Sequence, residues 1–291
     1  MLAKRVFILI ALSIIMLTNF SKGLHYLETI ETGVNYQNEH ALAKKYLKNS
    51  KNNKVHKRKT RLQKNNSSKQ LTPEQIYEDA DYVVKIKVFE TVTTPFNDSV
   101  IPRYAGFGSG SIVKCEKYNF CVITAEHVIE TPDAIFYAEF KDGSPPQKLK
   151  VISGNSKFDC AILKFSDPNF TPQTTATLGK SSKAEPGTMI VTIGSSAFGN
   201  FWINTGSLYV KSGPADEFFK EILKSIGSKY DRPSYLFIST PVFPGYSGGP
   251  IINKNGEVIG ISTNVITLEE SQTIYVGSPI DEVKSVLKII K

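Results

Sequence analysis

The chain has few of the residues that usually stabilise small exported domains or act as general bases. Its 291 residues include 3 Cys, 1 Trp and 4 His, and only one histidine, His127, follows position 56. Three cysteines cannot define a disulfide framework. A general base at neutral pH is most often a histidine. His127 is therefore the single candidate for that role in the second part of the chain.

Long apolar runs are also scarce. The longest near the start is Val6–Leu17, a run of 12 residues preceded by Lys4 and Arg5. A membrane-spanning helix needs about 20 apolar residues, so residues 1–22 are predicted to be a secretory signal. No Ala-x-Ala cleavage pattern follows, which leaves a cleaved signal peptide and an uncleaved anchor both open. The protein is expected to be secreted or periplasmic, and membrane-anchored if the segment stays.

Acidic residues are rare in the first part of the chain. Residues 1–70 contain 14 Lys and Arg against 3 Asp and Glu, whereas residues 71–291 contain 21 against 24. The net charge of +8 therefore belongs to the N-terminal segment. Residues 23–70, rich in Lys and Asn, are predicted to be a disordered linker. A weak contact of this basic tail with anionic surfaces stays open, and nothing in it indicates a specific nucleic acid.

Residues 71–291 are dominated by short β-type segments separated by turn residues, which favours an all-β barrel or sandwich. Thr72, Pro73 and Gln75 are typical of a helix start and predict a short helix to about Asp81. Apolar spacing predicts an inserted helix over Ala215–Ile226 and a C-terminal helix over Ile280–Ile290. Twelve strands are predicted: Tyr82–Phe89, Gly110–Val113, Cys121–Thr124, Ala134–Phe140, Lys148–Ser153, Ala161–Phe165, Met189–Gly194, Trp202–Val210, Leu236–Thr240, Pro250–Asn253, Val258–Asn264 and Thr273–Val276.

Two of the cysteines flank a turn between predicted strands. Cys115 and Cys121 could face each other across this hairpin and form a disulfide in an oxidising compartment, or they could be two small buried apolar residues. Cys160 follows Asp159 on a strand and should point to the opposite face, so it is predicted to be a core residue.

Three side chains with complementary chemistry occur in the order histidine, aspartate, serine. His127 could take the proton of the Ser247 hydroxyl, and Asp159, which opens an apolar strand, could hold the imidazole. The backbone N–H groups of Gly245 and Ser247 are predicted to form an oxyanion hole. The string around Ser247 also satisfies Gly-x-Ser-x-Gly. The nucleophile elbow of α/β-hydrolases is excluded, because a strand rather than a helix follows and no histidine comes after the serine.

Several segments resemble the protease domain of the HtrA/DegP group within the trypsin-like superfamily. They are Gly108–Ile112, Thr124–Ile129, Asp159–Lys164, Leu178–Ser182, Pro186–Gly194, Gly245–Pro250, Gly256–Ile261 and Gly277–Ile280. The resemblance implies two perpendicular antiparallel Greek-key β-barrels, with the catalytic residues His127 and Asp159 on the first and Ser247 on the second. It also implies that the strand formed by Ile261, Ser262, Thr263 and Asn264 pairs with an extended substrate.

The sequence departs from that group at Tyr246, where trypsin has Asp and the HtrA group usually has Asn. No PDZ domain is expected after Lys291. Pro241 occupies the position that carries an acid in trypsin, which favours small or medium apolar side chains before the scissile bond. We therefore expect an exported serine endopeptidase that cleaves extended or unfolded protein segments without a metal or cofactor. The alternative is a catalytically silent peptide-binding module. The sequence indicates no oligomeric state.

Overall fold

The computed structural model describes residues 70–93, 100–197, 201–210, 234–267 and 273–289. Within these ranges the chain forms two closed antiparallel barrels of six strands each. The strands of the first barrel are β1 Val83–Thr93, β2 Val100–Cys115, β3 Asn119–Thr124, β4 Ile135–Phe140, β5 Gln147–Asn155 and β6 Cys160–Phe165. Those of the second are β7 Met189–Ser195, β8 Phe201–Val210, β9 Leu236–Ile238, β10 Pro250–Asn253, β11 Val258–Thr267 and β12 Thr273–Pro279. The predicted all-β, two-barrel fold is confirmed.

In the part of the chain that the structure describes, one α-helix precedes the barrels in sequence and one follows them. The first, α1, spans Pro73–Glu78, and the Thr72 side chain and the Gln75 side chain form the predicted capping box. It ends earlier than predicted, because the chain turns at Asp79 and Ala80 to bring Tyr82 and Val83 into the core. The second, α2, spans Ile280–Ile289 and buries Ile280, Val283 and Val286. This amphipathic pattern is the one that the sequence predicts.

Neighbouring strands in the first barrel follow the order β1-β2-β3-β6-β5-β4 and in the second the order β10-β11-β12-β9-β8-β7. One hydrophobic cluster contains side chains from both barrels, among them Ile112 and Val122 of the first and Val191 and Ile193 of the second. The barrels therefore pack directly on each other. The segments from β3 to β4, from β5 to β6 and from β9 to β10 carry the candidate site.

Strand β2 begins ten residues before its predicted start. Its residues from Val100 to Ala105 are exposed, and they pair with the end of β1 in an extended hairpin. A strand that is solvated on both faces shows no apolar alternation, which is why the sequence pattern misses it.

Cys115 and Cys121 are joined by a disulfide in the structure, with their Cα atoms 5.7 Å apart. Cys160 is a buried free thiol. The predicted signal over 1–22, nearly all of the linker over 23–70 and the predicted helix Ala215–Ile226 lie outside the described residues. No helix among the described ranges is long and apolar enough to cross a membrane.

Candidate active site

His127 and Asp159 are brought together by the first barrel. His127 lies on a 3₁₀ helix, Glu126–Ile129, directly after β3. Its Nδ1 lies 3.0 Å from Asp159 Oδ2 and 3.1 Å from Oδ1. A carboxylate only accepts hydrogen bonds, so Nδ1 carries the proton in the neutral ring. Nε2 is then the basic nitrogen of His127.

The Asp159 carboxylate has a fixed orientation. Asp159 is fully buried, and its Oδ1 also accepts a hydrogen bond of 3.1 Å from the backbone N–H of His127. The residue ends the turn before β6 with φ of 45°, a left-handed conformation in which Asp is enriched among non-glycine residues. The turn therefore aims the carboxylate back at the 3₁₀ helix instead of along the strand.

Ser247 lies in the segment 241–249, which we call the serine loop. Gly245 and Gly248 have φ of 98° and 83°, values that L side chains rarely adopt. The loop turns tightly, since the N–H of Tyr246 donates to the Phe243 carbonyl over 2.9 Å and that of Gly249 donates to the Tyr246 carbonyl over 2.8 Å.

The serine loop packs against the strands that lead to His127. The N–H of Ser109 donates to the Ser247 carbonyl over 2.7 Å. A Cβ on Gly248 would overlap the Thr124 hydroxyl oxygen and lie 2.7 Å from the backbone nitrogen of Ala125, two residues before His127. The segments that carry Ser247 and His127 therefore adjoin each other where the two barrels meet. No direct hydrogen bond joins their side chains among the described residues.

The predicted oxyanion donors lie on the same turn. Neither the N–H of Gly245 nor that of Ser247 has a hydrogen-bond acceptor among the residues that the structure describes. By contrast, the Gly245 carbonyl accepts a hydrogen bond of 2.6 Å from the Ser109 hydroxyl, and the Ser195 hydroxyl lies 3.1 Å from it and 3.0 Å from the Gly108 carbonyl. Anchoring this carbonyl restricts rotation of the peptide groups around it.

Tyr246 is buried in the second barrel, although it stands where trypsin has an acid. Its ring packs on Gly194, where a Cβ would overlap the ring. Asn204 donates to the Tyr246 hydroxyl over 3.0 Å and to the Pro241 carbonyl over 3.1 Å. Burial raises the pKa of Tyr246, so the phenol is neutral. A neutral aromatic side chain therefore supports the serine loop, and Asn204 ties its start to Tyr246.

The predicted substrate strand, Ile261 to Asn264, lies on β11 and is enclosed at its start. Ile261 is fully buried and pairs with Pro250 on one side and Ser278 on the other. Ser262 is enclosed too, since it exchanges hydrogen bonds with Gly248 and Gly249. From Asn264 to Thr267, β11 pairs with β12 alone among the described strands. Among the described strands, β11 therefore has neighbours on both sides only near its start.

Sequence reasoning missed the residues that support the site from behind. Ser109, Ser195 and Asn204 reach the serine loop through hydroxyl and amide groups, and Lys85 lies buried beside it. Burial lowers the pKa of the Lys85 ammonium, with the Glu139 carboxylate opposing that shift. Such residues carry no local motif, and only the Gly108–Ile112 segment drew attention to Ser109.

A cluster of three or more His, Cys, Asp or Glu that could bind a metal does not occur in the described ranges. The acid and imidazole from one barrel and the glycine-flanked serine from the other define the chymotrypsin-like class of two-barrel folds. Residues 108–261, just over half of the chain, match the family described as "Trypsin-like peptidase domain". The chain belongs to this family.

The chain is similar to curated proteins whose names describe them as HtrA or DegP-like serine proteases. It is 27% identical over 190 residues to "Serine protease Do-like HtrA" of Bacillus subtilis, covering 65% of this chain and 40% of that protein. It is 32% identical over 163 residues to "Probable periplasmic serine endoprotease DegP-like" of Halomonas elongata, covering 55% and 30%. "Putative serine protease HhoB" of Synechocystis is 27% identical over 164 residues, covering 56% and 36%. The matches thus span well under half of these relatives' length.

Proposed function

We propose that the protein is an exported serine endopeptidase that hydrolyses peptide bonds in extended or unfolded protein segments, with His127, Asp159 and Ser247 as its catalytic triad. The observation that carries this proposal is the contact of both Asp159 oxygens with His127 Nδ1. That contact leaves Nε2 as the base, and the segment that carries Ser247 adjoins that of His127 where the two barrels meet.

The chemistry follows from these positions. Nε2 of His127 takes the proton of the Ser247 hydroxyl as its oxygen attacks the carbonyl carbon, and the buried Asp159 carboxylate stabilises the imidazolium that forms. The N–H groups of Gly245 and Ser247 stabilise the oxyanion. The imidazolium then gives its proton to the leaving amine, and water hydrolyses the acyl-enzyme by the same steps.

The proposed substrate is an extended segment, because the resemblance to HtrA/DegP proteases implies that β11 recognises its substrate by strand addition. Residues 263–265 follow directly from the enclosed residues that bind Gly248 and Gly249. Main-chain pairing gives affinity with little dependence on side chains. Export is supported by the apolar run Val6–Leu17 and by relatives named as periplasmic.

Labelling with a fluorophosphonate tests the proposed nucleophile. Wild-type protein should be labelled and should digest casein, whereas Ser247→Ala should do neither. Ser182→Ala is the matched control, because Ser182 is an exposed serine on the 3₁₀ helix Ser181–Lys183. A wild-type protein that binds peptides with the affinity of Ser247→Ala, and that is not labelled, would be a silent binding module.

Digestion of a peptide library tests the side-chain preference. Pro241 offers no charge at the position that carries an acid in trypsin, and its carbonyl accepts from Asn204. We expect cleavage after small or medium apolar residues. Cleavage concentrated after Arg or Lys would contradict this.

A further inference from the structure

Lys85 is a buried cation that forms no ion pair with a carboxylate of the described residues. It lies on β1 with 5% of its surface exposed, and no acidic group of the described residues lies within 4.0 Å of its Nζ. Lys87, two residues further on the same strand, instead forms an ion pair of 2.7 Å with Glu139. Lysine is almost never buried unless it is paired, so the contacts that Lys85 does make need a physical explanation.

Its ammonium group makes two contacts. Nζ donates to the Ser196 carbonyl over 3.0 Å and lies 4.5 Å from the centroid of the Phe107 ring. The first contact reaches from the first barrel to the end of β7 in the second. The second is a cation–π contact, which strengthens when water is excluded. Lys85 thereby fixes the position of an aromatic ring and of a backbone segment relative to each other.

The Phe107 ring and the residue that precedes Ser196 both adjoin Gly245 of the serine loop. A Cβ on Gly245 would overlap the Phe107 ring and lie 2.5 Å from the carbonyl oxygen of Ser195, the residue before Ser196. In addition, Ser109, which lies opposite Lys85 in the β1–β2 register, donates its hydroxyl to the Gly245 carbonyl. Lys85 therefore contacts or neighbours three of the groups that surround Gly245, namely the Phe107 ring, the segment Ser195–Ser196 and Ser109.

We propose that Lys85 is a positioning residue that, through Phe107 and Ser196, holds Gly245 in the orientation its N–H needs to stabilise the oxyanion. This inference rests on the proposed function and extends it. Lys85 touches neither substrate nor reacting atoms. Loss of Lys85 should destabilise the transition state, in which the oxyanion exists, and should hardly change the affinity for substrate bound along β11.

The test compares Lys85→Met with Lys87→Met in the full chain. Methionine keeps most of the apolar stem and removes the charge, and Lys87, which is half-buried and paired with Glu139, is the matched control on the same strand. Removal of a whole oxyanion donor costs about 10²–10³-fold in rate, so its displacement should lower kcat by about tenfold or more. KM should change little. Affinity for a peptide boronate, which places an oxygen in the oxyanion hole, should fall with kcat, while Lys87→Met should leave all three unchanged.

Nuclear magnetic resonance gives a readout that does not depend on turnover. The sequence contains two Pro-Gly pairs, Pro186–Gly187 and Pro244–Gly245. Labelling proline carbonyls with ¹³C and glycine with ¹⁵N therefore leaves two coupled amide signals. Lys85→Met should move the Gly245 signal and leave that of Gly187 in place, and Lys87→Met should move neither.

The outcomes separate this inference from the proposed function. If wild-type protein neither hydrolyses casein nor reacts with fluorophosphonate, the proposed function is wrong, and the Gly245 signal still decides whether Lys85 positions that residue. A folded Lys85→Met with wild-type kcat, or with an unmoved Gly245 signal, overturns the inference. If Lys85→Met does not fold, Phe107→Leu removes the ring face and should give the same changes. Its failure to do so overturns the inference as well.

Discussion

Gly194 lies beneath the ring of Tyr246, and its replacement by alanine tests how the serine loop is supported. A Cβ at this position would overlap Tyr246 Cγ and lie 2.7 Å from the Tyr246 Cα. Tyr246 is fully buried and is tied through Asn204 to Pro241. Neither the ring nor the backbone can therefore move away without disturbing the loop that contains Ser247.

The expected magnitude follows from these contacts. Overpacking of a well-packed core costs about 1–3 kcal/mol. Because one of the overlapping partners is backbone, we expect Gly194→Ala to lie at the upper end, about 3 kcal/mol. For a domain of this size the melting temperature should then fall by roughly 6–12 °C. Activity should fall more than this stability loss explains, since the shift is transmitted to Ser247.

The assay measures the melting temperature and the rate of casein hydrolysis of Gly194→Ala and of wild-type protein in parallel. Gly106→Ala is the matched control, because it also lies in a strand and a Cβ there would meet nothing within 4 Å. The control should have unchanged or slightly higher stability, since glycine is unfavourable inside a strand. In a Tyr246→Ala background, the cost of Gly194→Ala should drop by about 1–2 kcal/mol, the coupling expected for residues in contact.

Two results would refute the reasoning. One is a Gly194→Ala protein that melts at the same temperature as Gly106→Ala. The other is an equal cost of Gly194→Ala in the presence and absence of the Tyr246 ring. Either would mean that Tyr246 does not occupy the space against Gly194.

Three further predictions concern the triad, the disulfide and the substrate edge. Asp159→Asn should keep the fold but lower kcat by about 10⁴-fold in peptide hydrolysis, because the wrong tautomer of His127 is held; a variant with more than a tenth of wild-type kcat would contradict this. Cys115→Ser should lower the free energy of unfolding by about 2 kcal/mol in urea titrations, and the difference from wild type should vanish in reducing agent. Methylation of single backbone nitrogens in a peptide substrate should lower kcat/KM by about 2–10-fold at alternate positions, as loss of single strand hydrogen bonds predicts; no dependence on position would argue against pairing with β11.

Local sequence patterns predicted the helices and strands whose formation depends on residues within the same segment. The Thr72 cap predicted the start of α1, and apolar spacing predicted α2 to within one residue of the described end. The strand Pro250–Asn253 has its predicted bounds, because its residues are buried and a turn follows at once. The exposed half of the β1–β2 hairpin was not predicted, because its stability depends on pairing between strands and not on a buried face.

In the candidate site, too, some features follow from local sequence and others depend on contacts between distant strands. The residue types and their order indicated His127, Asp159 and Ser247, and the glycines around Ser247 indicated a turn with unusual backbone angles, which Gly245 and Gly248 have. These features are properties of short segments. The enclosure of Ile261 by strands on both sides is not, because it depends on which strands become neighbours.

The amino-acid sequence by itself determined the class of fold, the family and the set of residues that could carry the chemistry, because burial pattern, turn residues and functional side chains are all encoded locally. Only the tertiary structure decided what supports those residues. Lys85, Ser109, Ser195 and Asn204 are far from Ser247 along the chain. Lys85 and Ser109 come from the first barrel and lie near the serine loop because the two barrels pack against each other, whereas Ser195 and Asn204 lie near it because β7 and β8 belong to the same barrel as the loop. Their hydrogen bonds and the space left by Gly194 depend on distances between strands, and no pattern within one segment contains those distances.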